Sequence, residues 1–230
     1  MNDINDFVIE DGVLIKYKGD DSDVVIPDSV TSIGEFVFED CESLRSVVIP
    51  ESVTSIGSGA FYNCTRLTSI VIPESVTSIG GGVFQFCVSL ASVEIPNSVT
   101  SIGGGAFSSC QSLTSIEIPN SVTSIDVFTF DECINLTSVI IPSSVSSIGQ
   151  FAFSECESLT SIKIPNSVTS IGDNAFSYCE SLTSVVIPGS VTSIGEGAYD
   201  GCSDELVITT QEGSYAEEYA NENGIKVNLI

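Results

Sequence analysis

The sequence predicts a repeat solenoid, a chain that stacks copies of one short coil along an axis. Three observations point there. Every proline falls at position 27, 50, 73, 96, 119, 142, 165 or 188. Every cysteine falls at 41, 64, 87, 110, 133, 156, 179 or 202. Both series step by 23 residues without a break, and a fixed period of about 20–50 residues marks stacked supersecondary units. Between these marks the apolar residues recur at constant offsets, so the 42% hydrophobic content is arranged in columns.

One unit runs from Cys41 to Asn63, with the skeleton Cys41, Leu44, Val47, Ile49, Pro50, Ser52, Val53, Ile56, Gly57, Ala60, Phe61. Val47 and Ile49 alternate with period two, which turns both inward and leaves Ser46 and Val48 outward. Pro50 ends the strand because it has no N–H to continue a ladder. Val53 and Ile56, three apart, suit an inward-facing turn on the next side of the coil. Gly57 permits a tight corner. Phe61 and Cys64, also three apart, predict a short helical or 3-10 segment on the back face. No such unit can bury its apolar side chains alone, so stability comes from stacked neighbours.

The spacing Leu44-x-x-Val47-x-Ile49 and the copy LTSIVIPESVTSIGGGVFQFC, Leu67 to Cys87, resemble the BspA-like leucine-rich repeats. This is the 23-residue class of bacterial and protozoan surface proteins. The likeness covers residues 24–202. It implies a leucine-rich-repeat solenoid, a right-handed β/3-10 (β/α) coil with one parallel sheet. It also implies cell-surface interaction or adhesion. Four residues depart from the pattern: Asp126 replaces the corner glycine, Ser146 the recurrent threonine and Tyr199 the phenylalanine, and Glu205 stands where leucine should be.

The two ends read as caps. Phe7-Val8-Ile9-Glu10, the turn Asp11-Gly12 and Val13–Tyr17 predict a hairpin, since Asp-Gly between apolar runs favours the tight hairpin turn. Ser214 and Glu217 form a capping box and Gly224 a stop, which predicts a helix over 214–223. Ile225–Leu229 alternates like a last edge strand. The expected organisation is a hairpin cap over 1–23, about eight 23-residue repeats over 24–202, and a C-terminal cap with a short helix over 203–230.

Charge and composition exclude several functions. Asp and Glu number 31 against 6 Lys and Arg, a net charge of −25. Nucleic-acid binding needs a basic footprint, so no nucleic-acid partner is expected. No apolar run approaches the ~18 residues of a membrane span, so no membrane insertion is expected. Met1–Asp6 has neither a basic n-region nor an apolar h-region, the marks of a signal peptide. The chain has no His and no Trp, which removes the commonest general base and a common zinc ligand. Neither a cofactor nor a catalytic or metal-binding residue is expected.

The cysteines Cys41, Cys64, Cys87, Cys110, Cys133, Cys156, Cys179 and Cys202 share one inward column. They read as a buried ladder of reduced thiols that packs the core. Reduced thiols suit the cytoplasm, whereas the resemblance implies a cell-surface or secreted protein. The serines after each proline, Ser52 and its equivalents, read as turn chemistry that bonds the backbone and stitches coil to coil. Asp20, Asp21 and Asp23 lack the calcium-loop spacing and read as a solvated turn.

The positions the repeat leaves free carry the functional expectation. The outward strand column contains Val48, Val71, Glu94, Glu117, Ile140 and Lys163. Outward apolar residues on an exposed sheet point to a used face, although valine and isoleucine favour strands wherever they sit. The expected function is a non-enzymatic interaction module that binds a protein or glycan partner, a basic one by charge, through this face. The alternative is a structural, self-associating or consensus-like scaffold with no specific ligand, which the near-identity of the copies favours.

Overall fold

The computed structural model describes residues 3–230. Three-residue strands recur every 23 residues, from Asp23–Val25 and Ser46–Val48 to Ser184–Val186, and the longer Val207–Thr210 and Lys226–Leu229 follow. Equivalent residues pair in parallel: Ser115 with Ser138, Ile116 with Val139, Glu117 with Ile140. The chain is a solenoid of about nine turns, and the core is the space that the coils enclose.

The coil has a second ladder. Two-residue Ser-Ile strands, Ser55–Ile56 among them, pair with the Ser-Ile of the next coil. The turn expected around Val53 and Ile56 is thus short parallel sheet, and the fold contains more sheet than the one face expected. Thr54 N–H donates to Thr31 O at 2.9 Å and Gly57 N–H to Ile33 O at 2.8 Å, extending this ladder on both sides.

The third side differs from the helical or 3-10 segment expected there. It is a run of tight turns. Two residues per coil take left-handed backbone, Gly59 (φ 60) and Asn63 (φ 55) in the unit described above. A left-handed residue breaks the repetition that a helix needs. Alternate N–H groups therefore leave the local turn and reach the next coil: Phe61 N–H donates to Val83 O at 2.9 Å and Asn63 N–H to Gln85 O at 2.8 Å. Tyr62 N–H, between them, closes a local turn on Gly59 O at 2.8 Å, and Cys64 N–H, after them, closes the next on Phe61 O.

The core is layered by residue type. Phe38, Phe61, Phe84, Phe107, Phe130, Phe153 and Phe176 are fully buried. Successive rings stack 5.1–5.5 Å apart, within the ~4.5–7 Å range of favourable aromatic pairs. Tyr199 takes the next place, 5.3 Å from Phe176. Tyr17 closes the column at one end, 5.1 Å from Phe38, and Tyr219 at the other, 6.1 Å from Tyr199.

Those closing rings come from the caps. Phe7–Glu10 and Val13–Tyr17 pair antiparallel around Asp11 (φ 48) and Gly12 (φ 81), and the second strand joins the Ser-Ile ladder at Ser32–Ile33. Met1 and Asn2, within the expected cap over 1–23, lie outside the described residues. The helix is Tyr215–Glu222, and its N-cap Ser214 accepts from Glu217 N–H. Glu217 in turn accepts from Gly213 N–H at 2.6 Å, one residue before the cap. Ala216, Tyr219 and Ala220 are its buried face. Lys226–Leu229 then pairs in parallel with Val207–Thr210.

Candidate functional site: the outward strand face

Alternation along each three-residue strand places its middle residue in the core and its neighbours outside. Val48, Val71 and Ile140 are accordingly 56%, 62% and 60% exposed. Glu94, Glu117 and Lys163 are exposed on the same face. This is the column that the sequence singles out.

The long ladder is interrupted. Strands pair as 23–25 with 46–48, 69–71 with 92–94, 115–117 with 138–140, and 161–163 with 184–186, 207–210 and 226–229. Between these groups the strand pairing lapses, although Thr68 N–H still reaches Arg45 O at 3.3 Å across the first gap, and Val93 and Val139, core positions beside the other two, are less buried than their column-mates. One opening is a cleft of about 410 Å³ lined by Glu94, Glu117, Val93, Ile95, Asn97 and Asn120. Another, about 600 Å³, is lined by Lys163, Ile141, Ile164 and Asn166. A third cleft of about 350 Å³ joins Val71 and Glu94 with Glu51 and Glu74. The structure therefore brings Glu94 and Glu117 into one cleft and Val71 and Glu94 into the next. Lys163 lines a separate one, and Val48 and Ile140 line none of these three.

The cysteine column is internal. Cys64, Cys87, Cys110, Cys133, Cys156 and Cys179 are buried, and Cys41 and Cys202, at the two ends, are half-buried. The expectation that all eight are buried fails at these two ends, because an end coil lacks a neighbour on one side. From Cys64 onward each Sγ–H donates to the carbonyl of the phenylalanine of the preceding coil, as Cys110 does to Phe84 O at 3.2 Å. Burial pushes the Cys41 and Cys202 thiols up to about 12 and raises Cys110, Cys133, Cys156 and Cys179 as well. Such thiols are poor nucleophiles. The serines after proline stitch the coils: Ser52, Ser75 and Ser144 hydroxyls donate at 2.6 Å to valine carbonyls of the preceding coil. Asp21 accepts from the Tyr17 hydroxyl and Asp23 from Ser22 and Ser46, and no group of three acidic or thiol side chains among the described residues is arranged to hold a metal ion.

A family model, the BspA type leucine-rich repeat region, matches this chain in six copies over residues 16–133 and 100–227. The chain belongs to this family. The BspA-type coil also has solved relatives of similar size. A leucine-rich repeat protein of T. pallidum is 28% identical, with a TM-score of 0.66 over 99% of this chain and 97% of that one. A leucine-rich cell surface protein of Faecalibacterium prausnitzii A2-165 is 29% identical, with a TM-score of 0.60 over 88% of this chain and 73% of that one. No curated protein matches the sequence. Leucine-rich-repeat solenoids are generally non-enzymatic scaffolds that bind proteins. No helix among the described residues is long and apolar enough to cross a membrane.

Sequence reasoning overlooked the turn face of this BspA-type protein. Phe36, Phe128 and Tyr178 are exposed there, and Phe151 is half-buried. All four, and Phe86, hold left-handed backbone with φ between 54 and 61, a conformation that costs a residue with a Cβ roughly 1 kcal/mol or more. A signal did exist in the repeat. Positions 36, 128 and 151 are phenylalanine where 59, 82, 105 and 197 are glycine.

Proposed function

We propose that this BspA-type domain is a non-enzymatic interaction module that engages a basic protein partner at a cell surface, through its outward strand face. The observation that carries this is the cleft shared by Glu94 and Glu117, in a column whose other members include the exposed Val48, Val71 and Ile140. The valines and isoleucine offer apolar area to desolvate, and the carboxylates steer a cationic partner and set its register. The cell-surface relative from F. prausnitzii supports the location.

The test is the double variant Glu94→Lys with Glu117→Lys. Peptides are selected from a displayed random library on the wild-type protein, and their affinities are measured for both proteins at low and physiological salt. The selected peptides should be basic, should bind more weakly as salt rises, and should lose affinity for the variant while its circular dichroism stays that of the wild type. Binders indifferent to both charges, or none at all from a protein that self-associates, would favour a scaffold without a ligand, the reading supported by the near-identical Ser-Val-Thr-Ser-Ile segments.

A further inference from the structure

The turn face carries ten carboxylates and no lysine or arginine. In the eight segments 34–41, 57–64, 80–87, 103–110, 126–133, 149–156, 172–179 and 195–202 the charged residues are Glu35, Glu39, Asp40, Asp126, Asp131, Glu132, Glu155, Asp173, Glu196 and Asp200. Aromatic rings interrupt this acid field where the backbone favours glycine. The ring of Phe36 lies over Gly59 and that of Tyr178 over Gly201, close enough to displace any Cβ added there. Phe128 and Phe151 stack at 4.9 Å with planes 5° apart.

That stack ends in a cavity. Phe151 covers one face of the Phe128 ring. On the other side, one coil back, the equivalent position is Gly105, and a Cβ built on Gly105 would meet only Gly82 N, at 4.0 Å. The resulting cavity, about 430 Å³, is lined by Gln85, Gly104, Gly105, Val127, Phe128 and Asp131, and by Ser108. Val127 and Phe128 are each 41% exposed. The elements are an open aromatic face, a carboxylate beside it and a glycine floor that admits a ligand.

We propose that this cavity is a second binding site, separate from the strand face, and that it takes an arginine side chain of a basic protein partner. A guanidinium is flat, stacks on an aromatic face and pairs with a carboxylate in the same pose. Phe128 supplies the face and Asp131 the carboxylate. Partial burial disfavours the Asp131 charge and raises its pKa to about 6 against the pull of the Ser154 hydroxyl, so a cation beside the carboxylate gains interaction. The surrounding carboxylates attract a basic segment and repel a second copy of this chain, whose net charge is also −25. Phe128 holds left-handed backbone (φ 57) that glycine would adopt with less strain, and its stack on Phe151 offsets part of that strain.

The probe is a short Gly-Ser peptide containing arginine, with its lysine and citrulline counterparts as controls. Binding to the full chain at physiological salt is followed by amide chemical shifts and calorimetry. The arginine peptide should bind and move the Gly105 and Phe128 resonances, and the citrulline peptide should not. Asp131→Asn and Phe128→Gly should each weaken binding by about tenfold, the scale of one charge-assisted pair or one desolvated cation–π contact. In Phe128→Gly the relief of left-handed strain offsets the loss of the Phe151 stack, so its circular dichroism and amide spectrum away from residues 105–131 should stay those of the wild type, which separates loss of binding from loss of fold. Glu94→Lys with Glu117→Lys should leave this binding intact, which keeps failure here distinct from failure of the strand-face reading. Equal binding of arginine and citrulline peptides, or wild-type affinity in Phe128→Gly, would overturn the site. A lysine peptide that matches the arginine one would overturn the guanidinium assignment.

Discussion

Phe107 has no exposed surface, and its ring lies 5.4 Å from Phe84 and 5.5 Å from Phe130. Removing it opens a void between two rings that belong to rigid neighbouring coils and cannot close on each other. Phe107→Ala should therefore cost about 3–5 kcal/mol, the usual range for a buried aromatic cut to alanine, measured by urea denaturation. A loss below about 1 kcal/mol would mean that the coils relax into the gap, contrary to close packing. The cysteines follow a related logic on a smaller scale. From Cys64 onward each sits beside its phenylalanine and donates to the carbonyl of the previous one, so the thiol ladder expected from the sequence serves as a column of small hydrophobes, each with one weak donor.

Asp126 shows how one residue acts through an element. Its column-mates are glycines because the preceding coil passes too close for a side chain. A Cβ on Gly103 would lie 2.5 Å from Gly81 N, and one on Gly149 2.7 Å from the Asp126 backbone. Asp126 carries that Cβ, and the Ser-Ile ladder stops there: one sheet ends at Ser101–Ile102 and another begins at Ser124–Ile125. Gly149 N–H donates to Ile125 O, and Gly103 N–H to Ile79 O, but Asp126 N–H makes no equivalent bond to Ile102 O. Asp126→Gly should restore the ladder and raise stability by about 1 kcal/mol, the net worth of one backbone hydrogen bond. An unchanged or lower midpoint in urea would show that the coils part for another reason. The departure at Asp126 is visible in the sequence, and its consequence is not, because the clash is with a backbone 23 residues away.

Across the whole molecule the acidic charge sets the response to pH. Asp131 titrates near 6 when folded and near 3.8 when unfolded, chiefly because burial disfavours its charge, with Glu132 and Glu155 adding repulsion. Between those values the folded state binds more protons, so stability falls as pH rises through this window and is regained on acidification from about 7 toward 5. Relief of repulsion among 31 acidic residues acts in the same direction. The melting temperature should rise over that range, and Asp131→Asn should rise less. Identical slopes in the two proteins would assign the effect to net charge alone.

The sequence by itself determined the period, the solenoid, the inward columns and both caps. Each of these follows from a residue type that has few alternatives: proline cannot pair in a ladder, Asp-Gly selects a hairpin turn, and apolar residues at constant offsets must share one interior. It also singled out the strand column of Val48 to Lys163, since alternation decides which side chains face out. Only the tertiary structure decided the rest. Two-residue Ser-Ile strands carry no alternation, and they exist because the next coil supplies their partners. The back face became turns because left-handed residues send alternate N–H groups to a neighbour. The cleft between Glu94 and Glu117 and the cavity between Gly105 and Phe128 are spaces between coils. Their walls come from residues 23 apart, so a single repeat contains neither.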